Sequence, residues 1–189
     1  HCHVETIQGL DANTPIFATH HACRKLTAYF GASRSIQTIS AGSWMHWRGW
    51  EIMSFKRKGL LSPNFYAIVI ALPNKHAIFY APHGFELTRD ELDTIVHLSF
   101  DLVITTFTHF VLPAFLGGEI NLGATAAEKL IEQLAPKYAV NTHDEMKEKY
   151  GLVAKIAHVI PFDQDRAKPD GMYTPIPFDG KKHNLQIKH

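Results

Sequence analysis

Phe65-Tyr66-Ala67-Ile68-Val69-Ile70-Ala71-Leu72, a turn at Pro73-Asn74, and then Ala77-Ile78-Phe79-Tyr80-Ala81-Pro82-His83-Gly84 is the stretch that decides the fold. The first run is apolar and rich in Ile and Val, so it reads as a buried strand. Pro73-Asn74 marks a hairpin turn, and Ala77 to Ala81 returns as a second strand. That strand ends in Pro82-His83-Gly84, which sets an imidazole at a strand tip beside a glycine that allows close backbone approach. The run Phe65 to Leu72 is also the longest uninterrupted apolar stretch, far short of the ~20 residues a membrane-spanning helix needs. A membrane span is excluded.

Upstream, Thr14 to Thr19 is a strand entered at Pro15, followed by a helix over His20 to Phe30 that stops at Gly31. Ile36 to Ser40 and Glu51 to Lys56 read as strands, with a turn at Ala41-Gly42-Ser43 between them. Downstream, Thr88 with Glu91 forms a capping box, and Leu92, Ile95, Val96 and Leu98 give the apolar face of the helix it opens. Asp101 to Thr106 is a strand; Asn121 caps a helix from about Ala124 to Leu134, which Pro136 ends. Tyr138 to Asn141 is a strand, Asp144 to Tyr150 a short helix, and Ala157 to Phe162 a last strand. Antiparallel strands followed by strand–helix alternation predict an α/β layered fold over residues 1–162, with a Pro-rich tail over 163–189. The 189 residues suit one domain plus such a tail, and a globule of this size hides about 70% of its unfolded surface.

Lys and Arg number 19 against 18 Asp and Glu, so no broad basic face is expected and nucleic-acid binding gets no support. Lys56-Arg57-Lys58 is the local basic cluster. Two cysteines make no disulfide framework, and a reducing compartment, the cytoplasm, is the default. No secretory signal is visible at His1; a targeting segment upstream would redirect the chain to an organelle. The unusual number is 13 histidines, the side chain suited to metal ligation and proton transfer near neutral pH.

Three histidine motifs stand out. In an extended backbone, residues two apart point the same way, so His1, His3 and Glu5 can converge on zinc, iron or manganese. His83 is the strand-tip histidine described above. Val140-Asn141-Thr142-His143-Asp144 repeats the pattern of a strand with His at its tip. Outside these, Trp44-Met45-His46-Trp47-Arg48-Gly49-Trp50 holds all three tryptophans. It reads as a hairpin packing its indoles on the sheet edge, or as a wall for a small-molecule substrate, a protein partner or a second copy through Trp44, Trp47 and Trp50. The apolar loop Phe110 to Gly118 reads as a lid, a dimer contact or interlayer core, and Gly117-Gly118 is no phosphate loop.

His1-Cys2-His3-Val4-Glu5-Thr6, Ile78 to Gly84, Leu102-Val103-Ile104-Thr105-Thr106, Gly117-Gly118 with Asn121-Leu122-Gly123, and Asn141-Thr142-His143-Asp144-Glu145 together resemble the metallo-β-lactamase superfamily over roughly His1 to Phe162. The resemblance implies an αββα sandwich without its opening strands. It also implies metal sites whose HxHxDH loop is matched by His1 and His3, with Glu5 in the Asp position and Thr6 in that of the last His. His83 falls where a bridging Asp is usual, His143 matches the late histidine, and Lys56-Arg57-Lys58-Gly59 occupies the place of a further His. The site so implied is degenerate, holding one ion or none, with His1, His3, His83 and His143 as ligands and Glu5 as the catalytic carboxylate. The expected activity is water attack on an ester, lactone, amide or phosphoester. The alternative is a non-catalytic member serving as a structural or partner-binding module, a Lys ammonium (Lys56 or Lys58) replacing the cation.

Overall fold

The computed structural model describes residues 4–58, 65–142 and 156–161. His1, His3, His143, the helix expected over 144–150 and the tail lie outside the described residues.

A six-stranded sheet forms the centre: β3 (Met45–Trp47), β4 (Trp50–Lys56), β5 (Tyr66–Ala71), β6 (His76–Ala81), β7 (Ser99–Thr105) and β10 (Tyr138–Asn141) lie side by side in that spatial order. From β3 to β6 the neighbours are antiparallel, whereas β6, β7 and β10 run parallel. The switch follows from the connections. Between β5 and β6 the chain reverses within Leu72 to Lys75, closed by Lys75 N–H to Leu72 O (3.0 Å) with Lys75 at φ 65°. From β6 to β7 it crosses over through α3 (Arg89–Ile95), as a parallel pairing demands. Helix α3 opens with the expected capping box, Thr88 and Glu91 each satisfying the other's backbone N–H.

Strands β5 and β6 alternate buried and half-buried residues rather than being buried throughout. Ala67, Val69, Ala71, Ala77, Phe79 and Ala81 line the fully buried face, joined there by Ile95, Leu98 and Leu130. Leu130 and Leu134 come from α4 (Ala124–Leu134), whose apolar side faces this core. Small alanines beside Phe79 leave room for its ring and for Phe100, which meets it edge-on at 6.2 Å between centroids.

Two smaller sheets flank the centre. β1 (Ile16–Thr19) pairs in parallel with β2 (Ile36–Ile39) across α2 (His20–Phe30), and α1 (Val4–Gln8) adds Ile7 to the cluster of Ala18 and Leu26 beneath them. The other sheet holds β8 (His109–Val111), β9 (Glu119–Leu122) and β11 (His158–Ile160). It overturns two expectations. The stretch Phe110 to Gly118 is partly strand, with a short 3-10 turn at Ala114–Leu116 that leaves Phe115 83% exposed, so Phe115 is not interlayer core. Asn121 does not cap α4: it sits inside β9, and Gly123 at φ 77° is the cap residue. No helix among the described residues is long and apolar enough to cross a membrane.

The tryptophans settle on the hairpin β3–β4. Trp44 packs against the main core, Trp47 meets Phe17 edge-on at 5.4 Å and carries Arg48 over its face, and Trp50 is 38% exposed.

Candidate functional site

The carboxyl ends of parallel strands are where open α/β sheets place ligands. Here Ala81, Thr105 and Asn141 stand in one row across β6, β7 and β10. With strands ~4.8 Å apart, the outer two are about 10 Å from each other. His83 comes two residues after Ala81. Thr142, the residue before His143, is pinned to the same rim by its N–H to Thr105 O at 2.9 Å. Thr105 is fully buried there, and its hydroxyl has no hydrogen-bond partner among the described residues.

His83 is held on several sides. Its Nδ1 lies 2.8 Å from Asn121 Oδ1, its carbonyl accepts Leu122 N–H at 3.2 Å, and its ring lies 4.7 Å from that of Phe65. Gly84 makes this approach feasible: it adopts φ 76°, and a Cβ there would come within 2.9 Å of Leu122 Cβ. Burial pushes the imidazole below its ordinary value, a shift that the Asn121 hydrogen bond opposes and the nearby Arg57 charge reinforces. Burial thus favours the neutral ring, the state a metal ligand needs.

Arg57 is the cation beside it. Its side chain is 13% exposed and donates from Nη1 to Ile120 O (3.1 Å) and from Nη2 to Glu119 Oε2 (3.0 Å), with Phe65 5.7 Å below the guanidinium. The other oxygen of Glu119 meets His109 Nε2 at 2.8 Å. Lys56 and Lys58, either of which would supply an ammonium to the centre in the non-catalytic alternative, are exposed. Arg57 turns inward because it continues the β4 face of Met53 and Phe55, and its own N–H extends the ladder to Phe65 O at 2.9 Å. That period of two was the signal that could have singled it out. Asn121 had one as well, since Glu119-Ile120-Asn121-Leu122 alternates polar and apolar residues.

Glu5 lies in the first turn of α1 and is exposed. The backbone at Glu5 is thus helical where an extended one was expected, and His3 lies outside the described residues. Among the described residues no group of three His, Cys, Asp or Glu side chains is placed to hold a metal ion. His83 is the described member of the expected ligand set.

No family model and no curated protein sequence matches the chain. Solved structures do. It is similar to a "possible metal-dependent hydrolase" from Veillonella parvula DSM 2008, with a TM-score of 0.55 and 11% identity over 74% of this chain and 56% of that one. It is also similar to an isothiocyanate hydrolase from Delia radicum gut bacteria, with a TM-score of 0.51 and 14% identity over 74% and 56%. The metallo-beta-lactamase fold protein YhfI from Bacillus subtilis aligns at a TM-score of 0.47 and 14% identity over 68% and 51%. The chain thus spans about half the length of these structures. Likeness at such identity speaks to the fold and leaves activity open. With its antiparallel strands passing into a parallel set, the chain has a mixed α/β fold that it shares with the Veillonella parvula protein and the isothiocyanate hydrolase.

Proposed function

We propose that the chain is a metal-dependent, hydrolase-like protein with its centre on the rim that carries His83. The observation that carries this reading is His83 itself: a half-buried imidazole at a strand end, with Nδ1 2.8 Å from Asn121 Oδ1 and with burial disfavouring its charged form. An imidazole whose second nitrogen is tied to an oxygen acceptor is the usual form of a histidine ligand. The buried hydroxyl of Thr105, without a partner among the described residues, adds a polar group to the rim. His1, His3 and His143 are the further ligands in this reading. A bound divalent ion, whether zinc, iron or manganese, supplies a water of pKa near 7 and polarises the scissile group.

The chain's own residues do the rest. Asn121 and Phe65 hold the His83 ring, and Arg57 keeps a positive charge nearby for an ester, lactone, amide or phosphoester whose oxygen gains negative charge during water attack. Glu5 is the candidate to take a proton from the attacking water.

Metal analysis of the purified full chain tests the reading. One ion per chain is expected, with loss of that ion and of hydrolysis of chromogenic esters or phosphoesters in His83→Ala and His143→Ala. Metal content below a tenth of an equivalent after loading, or content indifferent to both substitutions, overturns it.

A further inference from the structure

We propose that Asn121 is the positioning residue of His83, fixing the ring with its proton on Nδ1 and its lone pair on Nε2. As a role in hydrolysis this rests on the metal reading above; as a statement about the ring it stands alone.

The contact is 2.8 Å between Nδ1 and the amide oxygen. A carboxamide oxygen only accepts, so the ring nitrogen facing it must donate. The second nitrogen then keeps the lone pair in the neutral ring. Asn121 is 8% exposed, and a buried amide needs a partner of this kind.

Its place is fixed from both sides. The preceding carbonyl, Ile120 O, is held by Arg57, and the following N–H, of Leu122, is held by the His83 carbonyl. Opposite, β9 pairs Asn121 with Phe110 of β8. Side chain and backbone of the β9 segment therefore grip His83 at two points, the ring edge and the carbonyl, while Phe65 faces the ring. An amide performs this task without bringing a charge, so a neutral imidazole is satisfied as it stands. The opposite amide orientation would put Asn121 Nδ2–H against the ring and move the ring proton to Nε2, and that alternative is measurable.

The experiment records long-range 1H–15N correlations of the histidine rings in the metal-free full chain at a pH of about 8, above the ordinary histidine range. His83→Gln assigns the signals. The wild-type His83 ring should show Nδ1 protonated and Nε2 unprotonated. Asn121→Leu, similar in volume but without an acceptor, should abolish that single tautomer, and Asn121→Asp, which keeps an oxygen in place, should restore it. Zinc titrated into the same proteins should bind 10–100-fold more weakly to Asn121→Leu than to wild type, in the range found for outer-shell partners. A wild-type ring protonated on Nε2 overturns the proposal, as does an unchanged tautomer in Asn121→Leu. Should Asn121→Leu fail to fold, the wild-type spectrum decides alone. A full chain that takes up no zinc defeats the metal reading, while the tautomer still decides the part played by Asn121.

Discussion

Replacing Gly84 by alanine tests the contact on which the His83 loop depends. Gly84 sits at φ 76°, and placing an L-residue in that left-handed region costs roughly 1–2 kcal/mol. The added Cβ would also stand 2.9 Å from Leu122 Cβ and 3.4 Å from Leu122 N. Leu122 Cβ is one bond from the backbone, so the β9 segment has to move as a whole. That movement stretches the Leu122 N–H to His83 O bond, now 3.2 Å, whose loss costs about 0.5–1.5 kcal/mol. The sum is roughly 1.5–3.5 kcal/mol, a large share of the ~5–15 kcal/mol by which a domain is stable. Gly42→Ala is the matched control: Gly42 has φ 73° but nothing within 4 Å of its would-be Cβ, so only the backbone part applies. Urea unfolding of wild type and both variants, followed by circular dichroism, gives the comparison at constant slope. Equal midpoints for Gly84→Ala and Gly42→Ala would refute the reasoning.

Two further predictions concern the rest of the sheet. Burial works to raise the Asp101 carboxyl, but hydrogen bonds from Lys137 and His76 hold it below the ordinary carboxylate range. A depressed folded value means stability that is present above the unfolded pKa of about 3.9 and lost as pH falls through the folded value. Asp101→Asn should therefore be less stable than wild type by ~1 kcal/mol at neutral pH, with the gap closing as pH falls through the folded value; a gap independent of pH in urea midpoints contradicts this. Phe79→Ala removes a fully buried ring from the central strand, for which a loss of about 3–5 kcal/mol is expected in the same assay. A loss under about 2 kcal/mol would show a core loose enough to close over the space.

The elements that the sequence discloses are those with local signatures. The helix over His20–Phe30 ends where Gly31 says it should, the Thr88–Glu91 box forms, and Pro73-Asn74 turns the chain between β5 and β6. The strands of the parallel half also lie where alternation and apolar runs put them. What escapes is determined by distant partners. Nothing near Asn121 announces a histidine 38 residues away, and an Asn three residues before a helix has the chemistry of a cap. Arg57 looks like one of three equivalent cations until the strand face is counted out from Met53. The three-residue strands β8 and β11 are too short for a period to show. Of the expected site, His83 is placed at the rim, and the backbone leading to His143 reaches the same rim.

The central sheet joins two halves that differ in how far along the chain each strand finds its neighbour. From β3 to β6 every partner is the next strand along, so this meander can zip up from its turns with little loop closure. β7 must wait for α3 to cross over, and β10 must wait for β8, β9 and α4, pairings of the slow, non-local kind. The edge of the sheet that holds Ala81, Thr105 and Asn141 is consequently the last to be completed. Amide hydrogen exchange at Val103, Ile104 and Val140 would then report directly on whether the crossovers have docked, before any chemistry is assayed.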